Sequence, residues 1–98
     1  MSFDLKSYKF YQRLIDLPFV KTIWLFGSRA RGDNNERADI DLAFSCPSAT
    51  AENWQRLLEV VENADTLLKI DAILFEKLKD DSALKQSILK EGVKIYEK

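Results

Sequence analysis

Histidine is absent from this sequence, and that absence removes imidazole general bases, Ser-His-Asp triads and every metal site built on imidazole. Cys46 is the only cysteine, so an internal disulfide is excluded, which suits a reducing compartment. Any bound metal must therefore be held by oxygen ligands, which points to magnesium, manganese or calcium rather than zinc. Cys46 precedes Pro47 with no neighbour that would activate it, and reads as an inert small side chain. No apolar run is long enough to cross a bilayer, and Met1-Ser2-Phe3-Asp4 has no charged-then-apolar leader, so the cytoplasm is the expected location. Neither sign of charge dominates: the formal net charge is −1, and direct nucleic-acid binding is not expected.

What is present fits one soluble domain spanning residues 1–98, with 46% hydrophobic and 32% charged residues. Such a short chain needs an economical core. Leu5, Tyr8, Tyr11, Leu14 and Ile15 fall at helical spacing and predict a helix over 3–17, which Leu17-Pro18 ends. The apolar run Thr22-Ile23-Trp24-Leu25-Phe26, bounded by Gly27, predicts a buried strand. After a polar stretch from Arg29 to Arg37, Ile40, Leu42 and Phe44 alternate with Asp39, Asp41 and Ala43, the pattern of a strand with one face on the core. Cys46-Pro47-Ser48 is a loop, and Ser48 or Thr50 can cap a helix carrying Trp54, Leu57, Leu58 and Val61 on one side.

Ile70 to Phe75 predicts a third strand whose only charge is Asp71. Asp80-Asp81-Ser82 offers caps for a last helix through Leu84, Ile88 and Leu89, with Gly92 placed to stop it. Val93 to Tyr96 is then a short final strand or a docked tail. The expected fold class is α/β (α+β): a small mixed β-sheet with helices packed on one face and the other face open. Tyr8, Tyr11, Trp24 and Trp54 sit at core-like spacings and read as packing, and Tyr96 as a docking residue.

The chemistry concentrates in Gly27-Ser28-Arg29-Ala30-Arg31-Gly32 and Asp39-Ile40-Asp41. Glycine directly after a buried strand permits a tight turn and close approach to a ligand. Ser28 then offers a hydroxyl and a backbone N–H to a phosphate oxygen. Asp39 and Asp41, two apart on a strand, share a face, and two carboxylates that close call for a cation between them. Magnesium suits this set, because it takes a few carboxylates and completes its shell with phosphates. Asp71 supplies a third carboxylate if its strand lies beside the second one, and a two-metal arrangement then becomes available. Each piece has a plainer explanation: Asp71 alone could be a turn or cap residue, and one of Arg29, Arg31 and Arg37 is expected only to pair with Asp33 or Glu36.

The run Gly27-Ser28-Arg29-Ala30-Arg31-Gly32 with Asp39-Ile40-Asp41-Leu42 resembles the signature of the DNA polymerase β-like nucleotidyltransferase superfamily. More narrowly, the chain is similar to its minimal nucleotidyltransferases, the MNT proteins, over nearly its whole length. Ala38 departs from the pattern, where that family commonly has a serine. The resemblance implies a metal-dependent nucleotidyltransferase of the protein adenylyltransferase type, with ATP as substrate. Asp39, Asp41 and Asp71 would bind Mg2+ or Mn2+ and carry catalysis, Gly27 and Ser28 would hold the triphosphate, and Arg31 would contact phosphate or order the turn. It also implies a partner, a HEPN-domain toxin with ribonuclease activity, which the MNT protein restrains as antitoxin, in some systems by adding AMP to a tyrosine. A catalytically silent antitoxin that neutralises the ribonuclease by contact is the alternative. Modification of a small molecule ranks lower, because the chain is short of acceptor-binding structure. The residues leave a homodimer and a hetero-oligomer both open.

Overall fold

Alternation along each strand divides one sheet into two unlike faces. A computed structural model describes residues 4–33, 35 and 37–98, so the expected helix start at Phe3 and the candidate ion-pair partner Glu36 lie outside the described residues. The strands are β1 (Thr22–Phe26), β2 (Ile40–Ser45), β3 (Ile70–Leu74) and β4 (Val93–Glu97), in the spatial order β3-β2-β1-β4. β1 runs antiparallel to β2 and to β4, while β2 and β3 are parallel. Ile23, Ile40, Leu42 and Phe44 are fully buried on one face, against Phe10, Leu14 and Leu57 of the helices α1 (Lys9–Ile15) and α3 (Ala51–Glu62). Phe26 and Ala43, from the other parity, join Trp24 and Ile73 on the opposite face.

That second face is not bare. Helix α4 (Ala83–Glu91) lies on it through Ile88, its one fully buried side chain, so the expectation of helices on one face holds for α1 and α3 and not for α4. Of the apolar residues placed on this helix, Leu84 and Leu89 are exposed, because only a narrow stripe of α4 meets the sheet. Thr50, not Ser48, caps α3: its hydroxyl accepts from the Asn53 N–H at 3.1 Å, and the Asn53 side chain accepts from the Thr50 N–H at 3.0 Å. Ser82 caps α4 by accepting from the Lys85 N–H at 3.0 Å. Gly92 ends α4 by turning to an extended backbone while its N–H donates to the Ile88 carbonyl at 2.8 Å, and a Cβ there would run into that carbonyl. The residues after it form the final strand rather than a tail, and Tyr96 docks half-buried on the α1 side. No helix among the described residues is long and apolar enough to cross a membrane.

The expected helix over 3–17 is broken. Leu5–Ser7 form a single 3-10 turn capped by Asp4, Tyr8 is extended at φ −80° and ψ 145°, and α1 begins only at Lys9. The cause is distant in sequence. Asp65, 56 and 55 residues away, accepts from the Lys9 and Phe10 N–H groups, both at 2.9 Å, and so caps α1 from the loop after α3. Those two hydrogen bonds, the Lys9 one above all, hold the Asp65 carboxyl below its ordinary range. The stability so gained is present above the ordinary carboxylate value of about 4 and is lost as pH falls through the lower, folded value. Thermal melts of Asp65→Ala should therefore show a lower Tm than the parent at neutral pH, with the gap closing in strong acid.

Candidate functional site

β1 ends in a turn that only glycine makes comfortably. Gly27 sits at φ 75° and ψ −154°, a backbone region closed to side-chain-bearing residues by sterics. The four-residue helix α2 (Ser28–Arg31) follows, with the Ala30 and Arg31 N–H groups both donating to the Gly27 carbonyl, at 3.1 and 3.2 Å. Gly32, left-handed at φ 82°, closes α2 by donating to the Ser28 carbonyl at 2.9 Å. Ser28 is thus the first residue of the turn of helix, half-buried, with its N–H ahead of the helical ladder.

A second constraint acts on Gly27. Phe26 is registered against Asp41 across the β1–β2 ladder, and a Cβ on Gly27 would collide with the Asp41 carboxylate oxygen Oδ2 and come within 3.3 Å of its Cγ. The backbone of the Gly-Ser turn and the Asp41 carboxylate therefore share one space. The parallel β2–β3 ladder places Asp71 directly across from Asp41. Both belong to the strand parity of Ala43, so they lie on the face that carries α4, opposite α1 and α3.

The two carboxyls lie side by side on that face. The Asp41 carboxyl is pushed above its ordinary range, first by burial, then by the Asp71 charge and hydrogen bond, and then by the Asp39 charge; Arg31 works against this. Asp39 stands exposed one residue ahead of β2, at the same end of the sheet. Lys69 Nζ lies 3.6 Å from Asp71 Oδ1. Among the described residues no three acidic or thiol side chains converge as a ready-made ion cage. The expected trio is a facing pair, Asp41 with Asp71, and Asp39 exposed at its margin. The pair fits a hard divalent cation: two carboxyls in register across the ladder, with the Asp71 charge raising Asp41, offer oxygen ligands and negative charge that such a cation satisfies.

The arginines divide their work. Arg31 Nε donates to Asp33 Oδ2 at 3.1 Å, and its Nη1 lies 3.8 Å from Glu91 Oε2, which links α2 to the end of α4. It orders the turn, and its charge is felt at Asp41. Arg29, which the sequence offered only as an ordinary basic residue, donates from both Nε and Nη2 to the Ala38 carbonyl, at 3.1 and 2.8 Å. Nothing local in the sequence signals that bond across nine residues. Elsewhere the aromatic residues pack as their spacing suggested: the Trp24 and Phe75 rings lie 4.7 Å apart. Cys46 is buried, and burial followed by the Glu76 charge pushes its thiol up to about 12, so it is unreactive at neutral pH.

Comparison with known proteins gives these residues a context. The family described as polymerase beta, nucleotidyltransferase matches residues 9–98. A protein of Methanocaldococcus jannaschii that carries a protein adenylyltransferase name, MJ1379, is 38% identical over 56 residues, which make up 55% of this chain and 56% of that protein. The chain thus spans little more than half the length of that relative. Among solved structures, a toxin-antitoxin with AMP-PNP matches at a TM-score of 0.63 with 20% identity, covering 91% of this chain and 72% of that one. A mutant of the toxin-antitoxin MntA-HpeT matches at a TM-score of 0.64 with 18% identity, covering 99% of this chain and 75% of that one. Likeness at such identities is likeness of fold.

Proposed function

The chain belongs to the polymerase beta nucleotidyltransferase family, and on that footing we propose that it is a metal-dependent nucleotidyltransferase acting as an antitoxin. It transfers AMP from ATP to a tyrosine hydroxyl of a partner HEPN-domain toxin, and residues 1–98 form its single minimal catalytic domain. The observation that carries this reading is the parallel register of Asp41 with Asp71, with the Gly27 backbone closed against Asp41. The adenylyltransferase name of MJ1379 and the toxin-antitoxin nature of the solved relatives support it.

Magnesium, or manganese in its place, would be held by Asp41 and Asp71 with Asp39 and would supply positive charge against the phosphate oxygens and the attacking oxygen. The chain's own residues do the rest. Gly27 lets the turn approach the triphosphate without a side chain in the way, and the Ser28 hydroxyl and N–H hold a phosphate oxygen. Arg31, ordered by Asp33 and Glu91, adds charge on the phosphate side. Asp71 accepts the proton of the tyrosine hydroxyl as its oxygen bonds to the α-phosphorus. The α–β anhydride bond breaks and pyrophosphate leaves with its electron pair.

One observation favours a second reading, in which the domain neutralises the toxin by contact alone: Asp39 is exposed and the three carboxylates do not converge among the described residues. Toxin restraint by the double variant Asp39→Asn, Asp41→Asn separates the two. Loss of restraint, together with loss of magnesium-dependent pyrophosphate release, supports catalysis. Restraint equal to wild type assigns the biological role to contact.

A further inference from the structure

The Gly-Ser turn and the Asp39 edge of the site are separate in the chain, and one side chain joins them. Arg29 leaves α2 from the position directly after Ser28, and its guanidinium forks onto the Ala38 carbonyl, with Nε at 3.1 Å and Nη2 at 2.8 Å. That carbonyl belongs to the peptide group whose nitrogen is that of Asp39. Two donors on one acceptor fix the plane of this peptide, and with it the direction in which Asp39 departs from the backbone. The neighbouring amides are also tied: Ala38 N–H donates to the Asn35 carbonyl at 3.2 Å, and Ile40 N–H to the Lys69 carbonyl at 2.8 Å. Asp39 itself is exposed and stands ahead of the regular ladder of β2, so the strand alone does not fix it.

We propose that Arg29 is a positioning residue that sets the Asp39 carboxylate in register with the Gly27-Ser28 turn, so that the phosphate-binding and carboxylate edges of the site move as one unit. Arg29 acts through the Ala38 peptide and touches neither substrate nor metal. This inference rests on the nucleotidyl-transfer reading for its catalytic consequence. The chemistry requires arginine: a lysine keeps the charge but offers a point donor with no fixed plane, and cannot reproduce the fork. A displacement of about 1 Å in a reacting site costs up to about a hundredfold in rate.

The test compares wild type with Arg29→Lys and Arg29→Ala, using pyrophosphate release from ATP and magnesium in the presence of the partner toxin, and amide hydrogen exchange in the metal-free protein. Both variants should lose about tenfold to a hundredfold in kcat with a smaller change in KM for ATP. Exchange at the Ala38 and Ile40 amides should quicken in both, and lysine should not rescue. Arg29→Lys with wild-type kcat and wild-type exchange overturns the proposal, as does a fall in kcat with those amides unaltered. If wild type itself releases no pyrophosphate, quickened exchange in the variants upholds the positioning role while the transfer reading falls. Unchanged exchange in that case overturns both. Should the variants not fold, the Arg29 Nε–H in wild type decides: exchange slower than at the exposed Arg13 and Arg56 upholds the fork, and equal exchange overturns it.

Discussion

Gly27→Ala is expected to lower the Tm and to abolish most nucleotidyl transfer together, because two independent costs fall on one methyl group. The first is conformational. At φ 75° and ψ −154° an alanine occupies a region essentially reserved for glycine, a strain of about 1–3 kcal/mol. In a domain of this size each kcal/mol lowers Tm by about 4–8 °C. The second cost is steric and functional. The new Cβ occupies the space of Asp41 Oδ2, and since the surrounding strands are fixed in their ladders, the Asp41 side chain must swing away. A displaced carboxylate at the reacting end of the sheet should reduce transfer by about a hundredfold or more. Gly32 is the control. It is left-handed at φ 82°, but a Cβ added there would meet nothing within 4 Å, so Gly32→Asn, which tolerates that conformation, should keep both Tm and activity near wild type. Thermal melts and pyrophosphate release on the two variants check this directly.

Asp41→Asn should separate stability from function in opposite directions. In the metal-free protein the Asp41 carboxyl is pushed up, chiefly by burial and then by Asp71. Below the ordinary carboxylate value of about 4 the group is protonated in both folded and unfolded chains and costs nothing. As pH rises from there through the raised folded value, the unfolded chain ionises first, and stability drains away. At neutral pH the ionised Asp41 therefore weighs against the fold. An asparagine fills the same space without the charge, so in the presence of a chelator Asp41→Asn should melt higher than wild type at pH 7. The advantage should vanish near pH 3. On the proposed reading, magnesium-dependent transfer should by contrast fall by about a thousandfold, since Asp41 would be among the groups that hold the cation and its charge stabilisation is worth several kcal/mol. On the proposed reading the site is destabilising when empty and indispensable when filled, as a stability–function trade-off predicts.

Much of the local backbone of this candidate site was legible in the residues alone, for reasons that are local. Glycine after a buried strand, and carboxylates alternating with Ile40, Leu42 and Phe44, are patterns that backbone geometry imposes directly. The place of Asp71 beside Asp41 needed one further fact, that β3 pairs with β2 in parallel and in that register. Periodicity marks a strand's two faces but does not choose its neighbour. The same gap hid the placement of α4, whose apolar stripe shows that it packs but not on which side of the sheet. The break at Tyr8 and the fork of Arg29 were illegible for another reason: each depends on polar bonds between residues apart in the chain, Asp65 to α1 and Arg29 to Ala38. Helical spacing in the first segment was real enough to bury Leu5, Tyr11 and Leu14, yet a distant carboxylate decided where the helix starts.

The most direct test of the central claim is the intact mass of the proposed HEPN-domain partner after incubation with this protein, ATP and magnesium. The account predicts a partner heavier by one or more AMP units, with no increment when Asp39→Asn or Asp41→Asn replaces wild type. An unchanged partner mass, with a stable complex formed between the two proteins, would contradict it and leave contact as the means of restraint.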